Sequence, residues 1–200
     1  TSALLTQLPL PLPAGSAVLD ACCGSGAIAA ALAATSSGPS LKLHLADSDA
    51  LAIHATHHNV PSARRRFVCD VWPPQSAFER RGKPKRYHWI VSNPPVHHGQ
   101  PDDFRVVKRL IKGARKRLKP GGVLWLVAQE QVPLGRMLQS YGRFAWTAAS
   151  PSADGRFVVW SAGGRAGKSN PRRGSKGGGG GTKRPSAQGE GAGEPMGRVG

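Results

Sequence analysis

The chain has 200 residues, with 28 Lys and Arg against 11 Asp and Glu for a formal net charge of +17. That length supplies one domain with its own core and excludes two full ones, and so large a positive excess points to a polyanion such as RNA. Neither an apolar run of about 18 residues nor a secretory leader occurs, which disfavours membrane spanning and secretion.

Ala17-Val18-Leu19-Asp20 predicts a short buried strand, closed by the turn Ala21-Cys22-Cys23-Gly24-Ser25-Gly26 and followed by a helix over Ala27 to Ala34. Leu41 to Ala46 predicts a second strand, after which Ser48 or Asp49 can cap a helix running to about His58. Further strands are expected at Arg66 to Cys69, Trp89 to Val91 and Val123 to Val127. Between the last two, Asp103 to Leu118 places Val106, Val107, Leu110, Ile111, Ala114 and Leu118 at helical spacing and crowds Lys and Arg on the other face. Lys119-Pro120-Gly121-Gly122 reads as the turn that ends this helix. Arg143 to Thr147 and Phe157 to Trp160 flank Ser150 to Gly155, a hairpin signal.

Alternating strands and helices predict an α/β fold over residues 1–162: a Rossmann-like, mostly parallel sheet with helices on both faces and an antiparallel final hairpin. Residues 163–200 contain 14 Gly and no apolar periodicity, so they are expected to form a disordered tail. Its Gly/Arg character suggests a mitochondrion or plastid, with the cytoplasm as the alternative. The three cysteines, none in a C-x-x-C spacing, read as reduced thiols of an intracellular protein. His54, His57 and His58 share a helix face without a Cys or carboxylate nearby and read as solvated, so no metal is expected.

A strand, a Gly-rich turn and a helix together press backbone amides against a ligand. Gly24-x-Gly26-x-x-Ala29 also fits the loose dinucleotide fingerprint, with Asp47 about 20 residues on as a ribose acid. Asp20 before the turn would repel a diphosphate and suits a cofactor bearing an ammonium group, which favours S-adenosylmethionine over a nicotinamide. Asp47 then accepts from the ribose hydroxyls. Asp70, closing its strand, is placed to meet the adenine amino group, with Val71 or Trp72 to pack on the ring.

At the end of the fourth strand stands Ser92-Asn93-Pro94-Pro95-Val96-His97-His98-Gly99. Two prolines fix the backbone and remove two N–H donors, leaving the Asn93 amide oxygen and the Pro94 carbonyl as an acceptor pair. An exocyclic amine on a base is a poor nucleophile because its lone pair is delocalised into the ring. If each acceptor takes one N–H, that lone pair is turned out of the ring toward a methyl donor.

These residues resemble the bacterial ribosomal RNA guanine-N2 methyltransferases of the small-subunit methyltransferase C type, within the class I S-adenosylmethionine-dependent superfamily. Ser2-Ala3-Leu4-Leu5 looks like the family's segment before the cofactor turn, and Val18-Leu19-Asp20-x-x-Cys23-Gly24-Ser25-Gly26 like its first motif. Asp47-Ser48 looks like its Asp-Val-Ser, Asn93-Pro94-Pro95-x-His97-x-Gly99 like its Asn-Pro-Pro-Phe-His-x-Gly, and Phe157 to Trp160 like its final strand. The resemblance implies a class I methyltransferase fold and methyl transfer to the N2 amine of a guanine in ribosomal RNA or a pre-ribosomal particle. It implies Asn93, Pro94 and Pro95 as catalytic residues, and Asp20, Cys23, Gly24, Gly26, Asp47, Asp70 and Asn93 as cofactor ligands. Val96, His97 and Gly99 fall to the substrate. A monomer is expected.

The sequence departs from the family at Val96, where a Phe is usual and an aliphatic side chain forgoes stacking commonly worth about 1–3 kcal/mol per base. The family's segment upstream of Ser2 is absent and Thr1 is not Met, so the chain reads as truncated. Substrate selection is then expected to rest on the basic helix, the tail or a partner. Two alternatives stand beside the leading one: an inactive methyltransferase-like scaffold in ribosome assembly, and an adenine-N6 or protein-glutamine methyltransferase.

Overall fold

The computed structural model describes residues 1–35, 41–74, 86–96 and 104–164, with the backbone of 79–80 and 83–84. The expected tail lies outside the described residues, as do His97 and Gly99. In chain order come α1 (Ser2–Gln7), β1 (Ala17–Ala21), α2 (Ala27–Ala34), β2 (Lys42–Asp47), α3 (Ala50–Asn59) and β3 (Arg65–Val68). Then follow the small ribbon β4 (Glu79–Arg80) and β5 (Lys83–Pro84), β6 (Tyr87–Ser92), α4 (Arg105–Arg117), β7 (Leu118–Gln129), α5 (Leu134–Met137) with a π-helical turn over Leu138–Gly142, β8 (Trp146–Pro151) and β9 (Phe157–Gly163).

The main sheet has seven strands in the order β3-β2-β1-β6-β7-β9-β8. Its first five are parallel, and β9 runs antiparallel to both β7 and β8. The parallel sheet with an antiparallel closing hairpin is therefore present as the sequence predicts. Parallel strands covered on both faces are apolar throughout, and every residue of β1 is buried. One face packs on α1, α2 and α3 through Leu4, Ile28, Leu32 and Ile53. The other packs on α4 and α5 through Val107, Leu110, Ile111, Ala114 and Leu134, and each large aliphatic so buried contributes about 1.5–3 kcal/mol.

The Lys119 to Gly122 segment corrects the sequence reading. The helix does end at Arg117, but the segment lies inside β7 as a bulge: β6 advances from Tyr87 to Trp89 while β7 advances from Leu118 to Val123. Gly121 has φ +75°, and a Cβ on Gly122 would come within 2.9 Å of the Tyr87 and Lys119 carbonyl oxygens. Two glycines thus let an irregular stretch stay in the sheet, where a turn signal alone reads as a boundary.

Candidate active site

The carboxyl ends of the parallel strands open into one cleft of about 1150 Å³. Sheet order arranges its wall. Asp70 after β3, Asp47 at the end of β2 and Cys22 and Gly24 after β1 form one half. Asn93, Pro94, Pro95 and Val96 after β6, Ala128 and Gln129 on β7 and Phe157 at the start of β9 form the other. Because strand order reverses direction between β1 and β6, the cleft sits at the switch point where open α/β sheets seat ligands.

Asp47 is held by two backbone amides: Gly24 N–H donates to Oδ2 at 2.8 Å and Asp49 N–H to Oδ1 at 3.0 Å. The cap of α3 is Asp49, whose side chain accepts from Leu51 and Ala52, so Asp47 is left to the cleft with unused lone pairs on both oxygens. The Gly-rich turn closes through Cys23 N–H to Ala46 O and Gly26 N–H to Cys23 O. Gly26, at φ +90°, is the N-cap of α2. Cys22 occupies the left-handed region at φ +57° and lines the cleft, and burial first, then Asp47, pushes its thiol up to about 12. Burial likewise raises Cys69 to about 11. Both thiols are protonated at neutral pH and are poor nucleophiles.

Of the residues singled out from sequence, Gly24, Asp47, Asp70, Asn93, Pro94, Pro95 and Val96 meet in the cleft. Asp20, Cys23 and Gly26 do not line it. Asp20 is wholly buried beneath the turn; Ala29 N–H donates to its Oδ2 at 3.1 Å, and its Oδ1 has no partner. Burial, reinforced by Asp47 and opposed by the Ala29 amide, holds its carboxyl at about 8. Asp70 forms an ion pair with Arg109 of α4. Val71 is buried in the core, and Trp72 turns to α4, donating to the Arg109 carbonyl at 3.1 Å beneath the Arg117 guanidinium, so neither packs on the cleft. Trp89 and Trp125 meet edge to face in the core. Among the described residues no cluster of three metal-ligating side chains occurs.

Sequence reasoning missed the wall formed by Arg105, Lys108 and Arg109 of α4, and it missed Phe157 as a lining residue. An antiparallel last strand begins, rather than ends, at the carboxyl edge, which is the signal that Phe157 faces the site.

A mostly parallel seven-stranded sheet with this order and a carboxyl-edge cleft is the class I methyltransferase fold. Residues 1–160 match the Methyltransferase small domain family, and the chain belongs to it. The "Ribosomal RNA small subunit methyltransferase C" of Alteromonas mediterranea is 33% identical over 162 residues, covering 81% of this chain and 42% of that protein. Its counterpart in Chromohalobacter salexigens is 35% identical over 165 residues, covering 81% and 46%. The chain spans less than half the length of these curated relatives. Among solved structures, the Thermus thermophilus 16S rRNA N2 G1207 methyltransferase, in complex with AdoMet and guanosine, superposes with a TM-score of 0.60 at 24% identity over 76% of this chain and 38% of that one. TrmN from the same organism gives 0.59 at 22% identity over 82% and 47%. No helix among the described residues is long and apolar enough to cross a membrane. The named relatives are bacterial and lend no support to an organelle location.

Proposed function

We propose that this chain transfers a methyl group from S-adenosylmethionine to the N2 amine of a guanine in ribosomal RNA. One observation carries the reading: Asn93-Pro94-Pro95 and the Gly24–Asp47 pair, 23 residues apart in their hydrogen bond, border the same cleft. The residues present fit that cofactor. The donor half holds Asp47, Asp49 and Asp70, acceptors suited to ribose hydroxyls and an amino group and hostile to a pyrophosphate. Beneath the turn, Asp20 has one unpartnered oxygen, and an ammonium close by would favour the ionised form of a carboxyl that burial otherwise keeps protonated at neutral pH. When bound, S-adenosylmethionine supplies an electrophilic methyl on a sulfonium.

The chain's own work is to position the acceptor. The Asn93 side-chain oxygen and the Pro94 carbonyl each take one N–H of the amine, so its lone pair is withdrawn from the ring and left facing the donor half. On methylation the nitrogen loses one proton, which the open cleft passes to water. Asp47 holds the ribose, and Asp70 offers an acceptor to the adenine amino group in competition with Arg109. Phe157 gives the acceptor half an aromatic wall that Val96 does not. His97 and Gly99 are assigned to the substrate on the motif alone, and Cys23 and Gly26 to shaping the turn. The related proteins' names and the guanosine held by the Thermus enzyme support the choice of guanine and of ribosomal RNA.

The test is isothermal titration with S-adenosylmethionine, followed by tritium transfer onto ribosomal RNA from cells lacking the protein. Asn93→Ala should abolish transfer and leave cofactor affinity within a few-fold; equal loss of both makes the residue structural and removes the reading. The Arg109–Asp70 ion pair across the adenine end and the loss of the aromatic at Val96 favour a second reading, a methyltransferase-like scaffold in ribosome assembly. Binding without transfer would select it, whereas label on protein or on adenine would select the adenine-N6 or protein-glutamine alternative.

A further inference from the structure

The outer face of α4 is basic from end to end, and no acidic residue falls between Arg105 and Arg117. Arg105, Arg109, Lys112 and Lys116 follow one another at spacings of four, three and four, which aligns them in one stripe. All four are exposed, as is Arg115 beside them, and of the four Arg109 is ion-paired with Asp70. At 1.5 Å per residue the stripe runs about 16 Å from Arg105 to Lys116. Its upper end is continuous with the cleft, since Arg105, Lys108 and Arg109 belong to the cleft wall.

The segment that packs beside α4, residues 134–143, also lacks acids and adds Arg136 and Arg143, both exposed. Two contacts organise the charges. Lys108 and Lys112 place their ammonium groups over the Tyr141 ring, at 5.9 and 5.1 Å from its centre. Arg115 Nη1 donates to the Arg143 carbonyl at 3.0 Å. A cation held over an aromatic face keeps its full charge while losing freedom, so less ordering remains to be done when an anion arrives.

The chemistry of this face selects its occupant. Protein interfaces centre on apolar and aromatic contacts and are depleted in lysine. Among the described residues the exposed large hydrophobics are Leu51 and Val68, neither on α4 nor beside it. A row of cations with no apolar centre matches a phosphodiester backbone, whose binding is electrostatic and indifferent to sequence. A base that enters a cleft for chemistry leaves its stack, which costs least from a strand already unpaired.

We propose that the α4 stripe, with Tyr141 beneath Lys112 and the neighbouring Lys108, is the docking surface for the single-stranded RNA backbone next to the target base. This rests on the RNA substrate of the preceding section. The strand leaves the cleft at Arg105 and Arg109 and tracks along Lys112, Arg115 and Lys116. The surface thereby supplies the sequence-independent grip and the cleft supplies the choice of base.

The test compares the full chain with Lys112→Ala/Arg115→Ala/Lys116→Ala, three positions outside the cleft. Filter binding to unmodified small-subunit ribosomal RNA, transcribed in vitro, is measured from about 50 to about 250 mM KCl. Removing three phosphate contacts at about 0.7 each should flatten the slope of log affinity against log salt by about 2 and weaken binding at least about 10-fold at the low-salt end. S-adenosylmethionine affinity should not change, and the melting temperature should fall by no more than a few degrees, for the lost Tyr141 and Arg143 contacts. Lys112→Arg/Lys116→Arg, which keeps the charge, should bind as wild type does. A triple variant with wild-type RNA affinity and slope overturns the proposal, and one that instead loses a ribosomal protein makes the face a protein-docking site. If wild type transfers methyl to RNA while the triple variant binds normally, only the docking proposal fails. If wild type neither binds nor labels RNA, the functional reading fails and takes this proposal with it.

Discussion

Asp20 should make the stability of the ligand-free protein fall as pH rises, because its buried carboxyl titrates at about 8 and the same group in an unfolded chain titrates at about 4. Below about pH 4 both states hold the proton and Asp20 imposes no penalty. Between the two values the unfolded chain ionises while the folded one stays protonated, so stability drops by about 1.4 kcal/mol per pH unit. Above about pH 8 both states are ionised and the loss levels off. From about pH 5 to about pH 7 the loss from this one group reaches up to about 3 kcal/mol, a large share of the stability of a domain this size. Asp20→Asn keeps an acceptor for the Ala29 amide and removes the titration. Urea unfolding of both proteins across this range should show the variant gaining on wild type by that amount as pH rises. His88, whose pKa is lowered first by burial and then by Lys119, is present in both proteins and cancels in the difference. Two stability profiles that keep a constant separation would refute the argument, since they would mean the carboxyl reaches water or a cation in the folded state.

Gly26→Ala should destabilise by about 1–3 kcal/mol, because the backbone there has φ +90° and the new Cβ would meet Val60 Cγ2 at 2.8 Å and Thr56 Cγ2 at 3.3 Å. An unchanged urea midpoint would show that the turn relaxes freely. Phe157→Ala should lower RNA methylation roughly 5- to 100-fold, the equivalent of one base-stacking contact, with cofactor affinity retained. Val96→Phe should raise the rate in the same assay, and indifference to both changes would place the base away from this wall.

The main elements were legible wherever one physical signal dominated. Short apolar runs marked β1, β2, β6 and β7, and the helical spacing from Val106 to Ala114 marked α4 and its basic face. The limits of α2 agree to the residue, since Gly26 starts it and small residues fill it. At Lys119 to Gly122 a Pro-Gly-Gly signature gives the same local pattern for a turn and for a bulge, and only pairing with β6 distinguishes them. The short α1 and α5 are too brief to show a period. In the cleft, Asp47 and Asn93 stood out because one ends a strand and the other directly follows one. The partner of Asp70 did not, because Arg109 lies 39 residues away and reaches it only once α4 packs on the sheet. Trp72, two residues after Asp70 in sequence, turns to α4 for the same reason. Local pattern placed residues at the carboxyl edge, and tertiary packing decided which of them face the opening.

The sheet order also bears on biosynthesis. β9 comes latest in sequence among the described strands, yet it is interior, and β8 is hydrogen-bonded to the rest of the sheet only through it. As the nascent chain emerges, β8 has no neighbour to zip onto, and the cleft lacks its Phe157 edge until β9 threads between β7 and β8. A ligand that spans the opening can be captured only after translation has passed Gly163. Occupancy of the cleft therefore depends on β9 being in place, and a bound ligand favours the chain in which it is.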